Sequence, residues 1–508
     1  MLDPDAGAGL LHRLTSYTPD REWDVPADDP RLRHDLEPND VATVPPWLKE
    51  YPVESGDLPV VELPRDLPDP GVSAASVLAG VPAASQPLDA AQLGRVLFLG
   101  AGVVRYLDRG ERRIVFRASG SAGARFPLEV YACTVGVEGV PDGVHWYDGV
   151  RHALVQVGPA PAGDATTLVV TGVPWRTAWR YAERGFRHLY WDAGTLLSQL
   201  EAAAASVGWD PRLRTLFPDA SVRELVGADG VHELPLALLT FGSGDPAVRP
   251  GGPATRGELP EVEFPLYTSA QAAGEADVLG DAWPVGETVA APPGSPIHGR
   301  PIHDGPTHDR PTHDRPALDA PTLDDVVRRR GSQRRMVRGA SVPRELLDWP
   351  MTVAMRGIDV SHWIVAHSVD GLEPGIYRWP DVATPLARGD LRDELERICL
   401  GQSLGAEAAY VAISAMDPGL LDDRSYRDAQ LASGLVEGRL HLAAYALGIS
   451  ASGMTFLDSE VPALLGEDDD LVVLLFTCVG VPEYRGRSGG TPGAPVTFKP
   501  VMPRMVDQ

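Results

Sequence analysis

Lysine is almost missing: only Lys49 and Lys499 occur among 45 basic residues in a chain of 508. The rest are arginine, which with the abundance of Ala, Gly, Pro and Asp points to a GC-rich coding bias. Chemistry that needs a lysine amine is all but excluded by inventory. Cysteine is scarce too. Cys133, Cys399 and Cys478 form an odd set without Cys-x-x-Cys spacing, which gives neither a disulfide framework nor a zinc site. Each lies in an apolar run, as buried inert thiols do. No apolar run reaches the ~18 residues that a membrane span requires. The opening "MLDPDAGAGL" lacks the basic stretch and apolar core of a secretion signal, so a cytoplasmic location is expected. Positive charge is in deficit as well, with a net charge of −25. That argues against nucleic acid and anionic membranes as partners, because both need a basic footprint. Finally, no Gly-x-Gly-x-x-G follows an expected strand, so nothing offers to hold a dinucleotide pyrophosphate.

What is present falls into four stretches. Residues 1–87 are rich in proline and acid, with Tyr17, Trp23, Trp47 and Tyr51 scattered through them, and read as an extended arm lying on a domain. Residues 88–243 read as a first globular domain. In it, "LDAAQLGRVLFLGAGVV" is an expected helix, "LEVYACTVGV" and "ELPLALLTFG" are expected buried strands, and "LYWDAGTLLSQLEAAAASVG" is a second helix with an apolar face. Residues 244–321 read as a linker. They contain five-residue steps that place His298, His303, His308 and His313 at equal intervals. Steps of five share no face of an α-helix or of a polyproline helix, so the geometry favours a spacer over a metal site. Residues 322–508 read as a second globular domain. It opens with a capping box at Thr322 and Asp325, continues through strands "HWIVAHSV", "AAYVAISA" and "LVVLLFTCVGV", and holds a long helix ending in "LHLAAYALG".

The two globular stretches resemble each other. "GFRHLYWDAGTLLSQLEAAAASVG" aligns without gaps on "SYRDAQLASGLVEGRLHLAAYALG", matching Phe186 with Tyr426, Gly194 with Gly434 and Gly208 with Gly448. Two long copies suggest duplication of a domain that once paired with itself, giving a pseudo-dimer in one chain.

One cluster stands out in so acidic a chain. "RRRGSQRRM", Arg328–Met336, packs five arginines into nine residues. It resembles the N-terminal flavin-phosphate motif Arg-Arg-Ser-x-Arg-x-Phe of the nitroreductase superfamily, with Arg330, Ser332, Arg334 and Met336 at the matching positions and Gly331 departing from it. "ASGSAGARFPLEVY" is similar to the Ser/Gly element of the branch that contains the SagB-like azoline dehydrogenases, carried by Ser119, Gly120, Gly123, Pro127 and Tyr131. "EGVPDGVHWYD" and "DGLEPGIYRW" resemble a further element of that branch. Read on their own, these segments are an arginine face in solvent and an ordinary Gly/Ser loop. Their order, present twice, is what carries the resemblance. The physics agrees with it: an FMN phosphate carries nearly two negative charges, and arginine meets phosphate oxygens with a planar fork.

The resemblance implies an α+β fold of two tandem nitroreductase-like domains, with an FMN site built where they meet. It implies hydride transfer to or from flavin, on a small-molecule or peptide substrate, in a natural-product setting with biosynthetic partner enzymes. By resemblance Arg330, Ser332 and Arg334 hold the phosphate with Arg485 and Arg487. Ser119, Gly120, Ser121 and Gly123 approach the ring from one side, and Gly453 and Met454 from another. The Lys-Tyr pair of the SagB-like branch has no counterpart here, which leaves Tyr181 and Tyr190 as candidate proton donors, with His188 and Arg187 behind them. The motifs are also split between the halves. The counterpart of the arginine motif is "VPAASQPLDA", without a cation, and that of the Ser/Gly turn is "AMRGIDVSHW". One site per chain is therefore expected, with the other filled by side chains such as Met355 and Trp363. The alternative reading is a flavin-poor pseudo-enzyme that serves as a partner in a biosynthetic complex.

Overall fold

The computed structural model describes residues 2–20, 32, 36–51, 58–109, 112–290 and 321–505. Strands follow in chain order as β1 (Val60–Glu62), β2 (Val103–Arg109), β3 (Arg112–Arg117), β4 (Leu128–Thr134), β5 (Gly143–Asp148), β6 (Ala153–Gly158), β7 (Thr167–Gly172), β8 (Pro211–Arg214), β9 (Leu234–Phe241), β10 (Ser361–Ala366), β11 (Gly375–Arg378), β12 (Pro385–Arg388), β13 (Tyr410–Met416), β14 (Ser450–Met454), β15 (Val472–Gly480) and β16 (Val496–Thr497). One antiparallel sheet runs β1-β6-β5-β4-β7-β9-β8, a second runs β12-β11-β10-β13-β15-β14, and a small third sheet joins β16, β2 and β3. With the edge strand β1 set aside, the orders of the two large sheets are the same, strand for strand. The fold is the expected α+β arrangement of two like domains in one chain.

Strands β4, β7, β9 and β15 are buried at every position, which is why their sequences read as continuous apolar runs and do not alternate. One face of each sheet packs into a core shared by both halves. The opposite faces are covered separately, by Phe217, Val222 and Leu225 on the first sheet and by Leu395, Ile398 and Leu465 on the second.

Two long helices, Gly185–Ala205 and Asp423–Ala446, fill the shared layer. The second starts at a reciprocal cap in which the Asp422 carboxylate and the Ser425 hydroxyl each accept from the other's backbone. The helices cross at the two glycines that the sequence alignment matched. A Cβ on Gly194 would collide with the Leu431 carbonyl, and one on Gly434 with the Trp191 carbonyl. Around that crossing, Trp191 Nε1 donates to Gln430 Oε1 at 2.6 Å and Arg439 Nη2 to Glu201 Oε2 at 3.1 Å.

Equivalent arginines clasp the opposite half at both ends of this layer. Arg184 and Arg187 each donate to Asp458 at 2.6 Å. At the matching positions of the second helix, Arg424 donates to Asp219 at 2.7 Å, and Arg427 to the Gly274 carbonyl.

Two composition-based readings need correction. The N-terminal stretch contributes the helix Gly7–Thr15, strand β1 and the helix Ala74–Leu78. Its Lys49 is buried under the first sheet, with its ammonium on Tyr131 Oη and Glu233. Residues 244–290, read as linker, include the helix Pro265–Ala273 and a segment pinned by Trp283, whose Nε1 donates to Thr215 Oγ1 at 2.9 Å. Both segments add short pieces to the shared core, among them Leu10, Leu11 and Leu14, Val77 and Leu78, and Phe264 and Tyr267, and such short pieces between prolines and acids gave no sign of order. His298, His303, His308 and His313 lie outside the described residues.

Candidate functional site

The arginine motif and the Ser/Gly turn come together at the boundary between the halves. The helix Leu323–Arg329, capped by Thr322, delivers Arg330 into the interior, where it is 3% exposed. Its Nη2 donates to the Ala118 carbonyl of the first half at 2.7 Å, and its Nη1 lies 3.4 Å from His441 Nδ1. A ring of contacts then closes. His441 Nε2 lies 3.2 Å from Glu437 Oε1, Thr195 Oγ1 donates to Glu437 Oε2 at 2.7 Å, and a Cβ on Gly120 would stand 3.2 Å from Thr195 Cγ2 and 3.5 Å from Arg330 Nη1. Gly453 on β14 lies over the same carboxylate, where a Cβ would be 3.0 Å from Glu437 Oε1.

Beside the ring is a small half-open cavity of about 10 Å³, room for about one water molecule, lined by Arg117, Ser119, Gly120, Ser121, Phe126, Pro127, Asp192 and Leu196, among others. Ser121 Oγ donates to Asp192 Oδ2 at 2.5 Å, and the Ala122 amide donates to Asp192 Oδ1 at 2.9 Å. Gly123 has a φ of +57°, which favours glycine, and a Cβ there would be 2.6 Å from the Tyr181 hydroxyl.

Burial governs the protonation states. It pushes Asp192 up to about 8, against the opposing hydrogen bonds from Ser121 and Ala122 and with help from the Glu437 charge. It drives His441 down to about 4, with Glu437 opposing and Arg330 assisting. The histidine is thus neutral at pH 7, and its Nδ1 can face the Arg330 guanidinium as an acceptor.

Arg334 is exposed, and its backbone amide donates to Tyr484 Oη at 3.2 Å. Gln333 Nε2 reaches the Tyr484 carbonyl at 3.3 Å, so the segment carrying Arg485 and Arg487 runs beside the arginine motif. Arg485 is exposed there. Arg487 turns to the Thr497 carbonyl at 3.4 Å. Ser332 is half-buried. Tyr181 is close enough to Arg334 and Asp192 for both charges to act on its hydroxyl.

Other candidates stand elsewhere. Tyr190 is two residues from Asp192 on one helix, hence on another face, and its hydroxyl donates to Gln271 Oε1 at 2.7 Å. The Met454 side chain belongs to the outer core of the second sheet, because alternate strand residues point to opposite faces and Gly453 takes the inner one. Arg187 is held by Asp458, and His188 is wedged between Tyr181 and Trp191. Asp192, Thr195, Glu437 and His441 went unnoticed in the sequence. Their signal was present: polar residues three or four apart on one face of each long helix.

The equivalent position across the pseudo-twofold is sealed. The counterparts of Thr195, Glu437 and His441 are Leu435, Leu197 and Glu201, of which both leucines lie in the shared core and Glu201 pairs with Arg439. Where the Ser/Gly turn would stand, Arg356 donates to the carbonyls of Leu78 at 3.0 Å and Glu287 at 2.9 Å, and Gly357 backs onto Pro284. Met355 packs against the shared core, whereas Trp363 lies in the outer core on the other face of its sheet with Arg378 3.8 Å over its ring. The seal is therefore made by residues 284–290 and the end of the helix Ala74–Leu78, and the expected pair of side chains does not fill one pocket.

No protein-family model matches the chain. A provisionally named nitroreductase of Methanocaldococcus jannaschii is 29% identical over 173 residues, which are 31% of this chain and 82% of that protein. The crystal structure of a provisionally named nitroreductase from Anabaena variabilis superposes with a TM-score of 0.66 at 22% identity, over 94% of this chain and 99% of that one. This likeness shows the nitroreductase-like fold across both halves. Another such protein, from Ralstonia eutropha, aligns with 38% of this chain at a TM-score of 0.31 and 20% identity.

Proposed function

We propose that the chain is an FMN-dependent oxidoreductase of the SagB-like kind, with one flavin site built between its halves, acting on a small molecule or peptide in natural-product tailoring. A duplicated ancestral domain accounts for the repeat. The observation that carries the cofactor reading is the closed ring in which Arg330 of the second half reaches over Gly120 to the Ala118 carbonyl of the first.

The residues suit the group. Arg334, two residues from Ser332, and Arg485, next to Tyr484, are exposed guanidiniums that would take the phosphate. Gly120 and Gly453 present backbone without a side chain at the boundary, and the buried Arg330 Nε has no hydrogen-bond partner of its own. Bound flavin would supply two-electron hydride chemistry. The chain's own residues exclude water through the leucine- and phenylalanine-lined wall, orient the ring edge with Arg330 and the neutral His441, and hold a proton at Asp192.

A second reading, a flavin-free partner protein, draws on the small volume of the cavity, which has room for about one water molecule. Colour separates the two: protein purified or soaked with FMN shows an oxidised-flavin spectrum on the first reading and stays colourless on the second. Released cofactor should be FMN on chromatography, and FAD would refute the assignment. Arg334→Ala should lower flavin retention at least ~10-fold, in line with the ~1.5–3 kcal/mol of a charge-assisted bond, while Arg344→Ala on a distant surface pair should not.

A further inference from the structure

The cavity contains one carboxyl that no cation neutralises. Asp192 is 4% exposed, and among the described residues it has no ion pair. The charged groups around it are committed elsewhere. Arg117 of β3 donates to the Leu128 carbonyl and faces Glu129, Arg330 serves Ala118 and His441, Glu437 of the facing helix adds negative charge, and Tyr181 closes the turn. Burial therefore favours the neutral acid, in keeping with an ionisation near pH 8.

Ser121 connects this acid to the open space. Its Oγ is 2.5 Å from Asp192 Oδ2 and accepts from the Phe126 amide at 2.8 Å, and both Ser121 and Asp192 line the cavity. With Asp192 ionised, the serine proton points at the carboxylate. With Asp192 protonated, the acid can donate to Oγ, and the serine proton is free to turn into the cavity.

We propose that Asp192 and Ser121 form the proton relay of this site, Asp192 storing the proton and Ser121 handing it to a molecule docked at the mouth of the cavity. In the step, the Ser121 O–H bond breaks and its proton joins the acceptor atom. Oγ takes the Asp192 proton, and the carboxylate left behind keeps the Ala122 amide as its donor. Solvent later returns one proton to Asp192. In its use the relay rests on the flavin reading: reduction of a substrate by reduced flavin consumes one hydride and one proton, and the relay supplies the proton.

Infrared spectroscopy of the full-length protein reads the first half of the claim without any turnover. A protonated-carboxyl band present at pH 7 should vanish in Asp192→Asn and persist in Ser121→Ala. A band untouched by Asp192→Asn overturns the proposal. The second half is read in flavin-loaded protein with a quinone as acceptor. Both variants should reduce it at least ~100-fold more slowly, within the range of general acid contributions. The ionisation near pH 8 in the wild-type rate profile should be absent from Asp192→Asn. A Ser121→Ala rate equal to wild type overturns the relay. A protein that takes up no flavin refutes the cofactor reading and the delivery step, while the infrared band still decides whether Asp192 holds the proton.

Discussion

Asp192 makes the stability of the folded chain depend on pH in a definite direction. Its folded ionisation is raised to about 8 from an ordinary value of 3.8. A raised carboxyl contributes stability that is complete below its unfolded value and is lost as pH rises through the folded one. Wild-type protein should therefore lose melting temperature between pH 5 and 9 relative to Asp192→Asn, whose amide does not titrate. A constant difference between the two over that range would show that the carboxyl is ionised throughout. At this scale the sequence was half legible. That Arg330 and Gly120 meet was expected because their motifs have a fixed order along the chain, and the fold brings them together. Asp192, Glu437 and His441 were not foreseen, because a polar residue on a long helix reveals its burial only when the partner helix is in place. Tyr190 shows the converse. Chemistry alone made it a candidate, and a turn of helix put its hydroxyl on Gln271.

The pair of long helices is where the alignment of the two halves acquires physical content. Gly194 and Gly434 matched as letters, and in the fold they are the places where the two backbones touch. A methyl group has nowhere to go there, since both obstacles are backbone carbonyls. Gly434→Ala should cost about 1–3 kcal/mol or more, as overpacking does, and lower the melting temperature accordingly. The clasp should be more sensitive still. Burial raises Asp458, but Arg184 and Arg187 outweigh it and bring the carboxyl below its usual range. Its stabilising contribution is thus present at neutral pH and is lost as pH falls through the lowered folded value. Asp458→Ala leaves two buried guanidiniums unpaired, for which ~3–5 kcal/mol is expected, measured as a shift in denaturant midpoint at constant slope. Neither partner of this clasp could be paired from the sequence, because they are far apart in it and only the reciprocal packing of the halves joins them. The secondary elements themselves were largely legible from periodicity. The first expected helix stops at Ala101, where Gly102 turns extended and β2 begins.

Over the whole molecule, two halves of one topology have become unequal. One side of the boundary joins arginines, small residues and buried polar helix positions into a ring with a small half-open cavity. The other replaces them with leucines and covers the place with residues 284–290 and Arg356. The loss of motif on that side was legible in "VPAASQPLDA" and "AMRGIDVSHW". What covers it was not, because the covering segment sits in a stretch whose composition reads as spacer. The central claim, one flavin site per chain bridging the halves, is tested most directly by counting flavin released from fully loaded, denatured protein against protein concentration. The account predicts one FMN per chain. A ratio near two, or no flavin retained after loading, would contradict it.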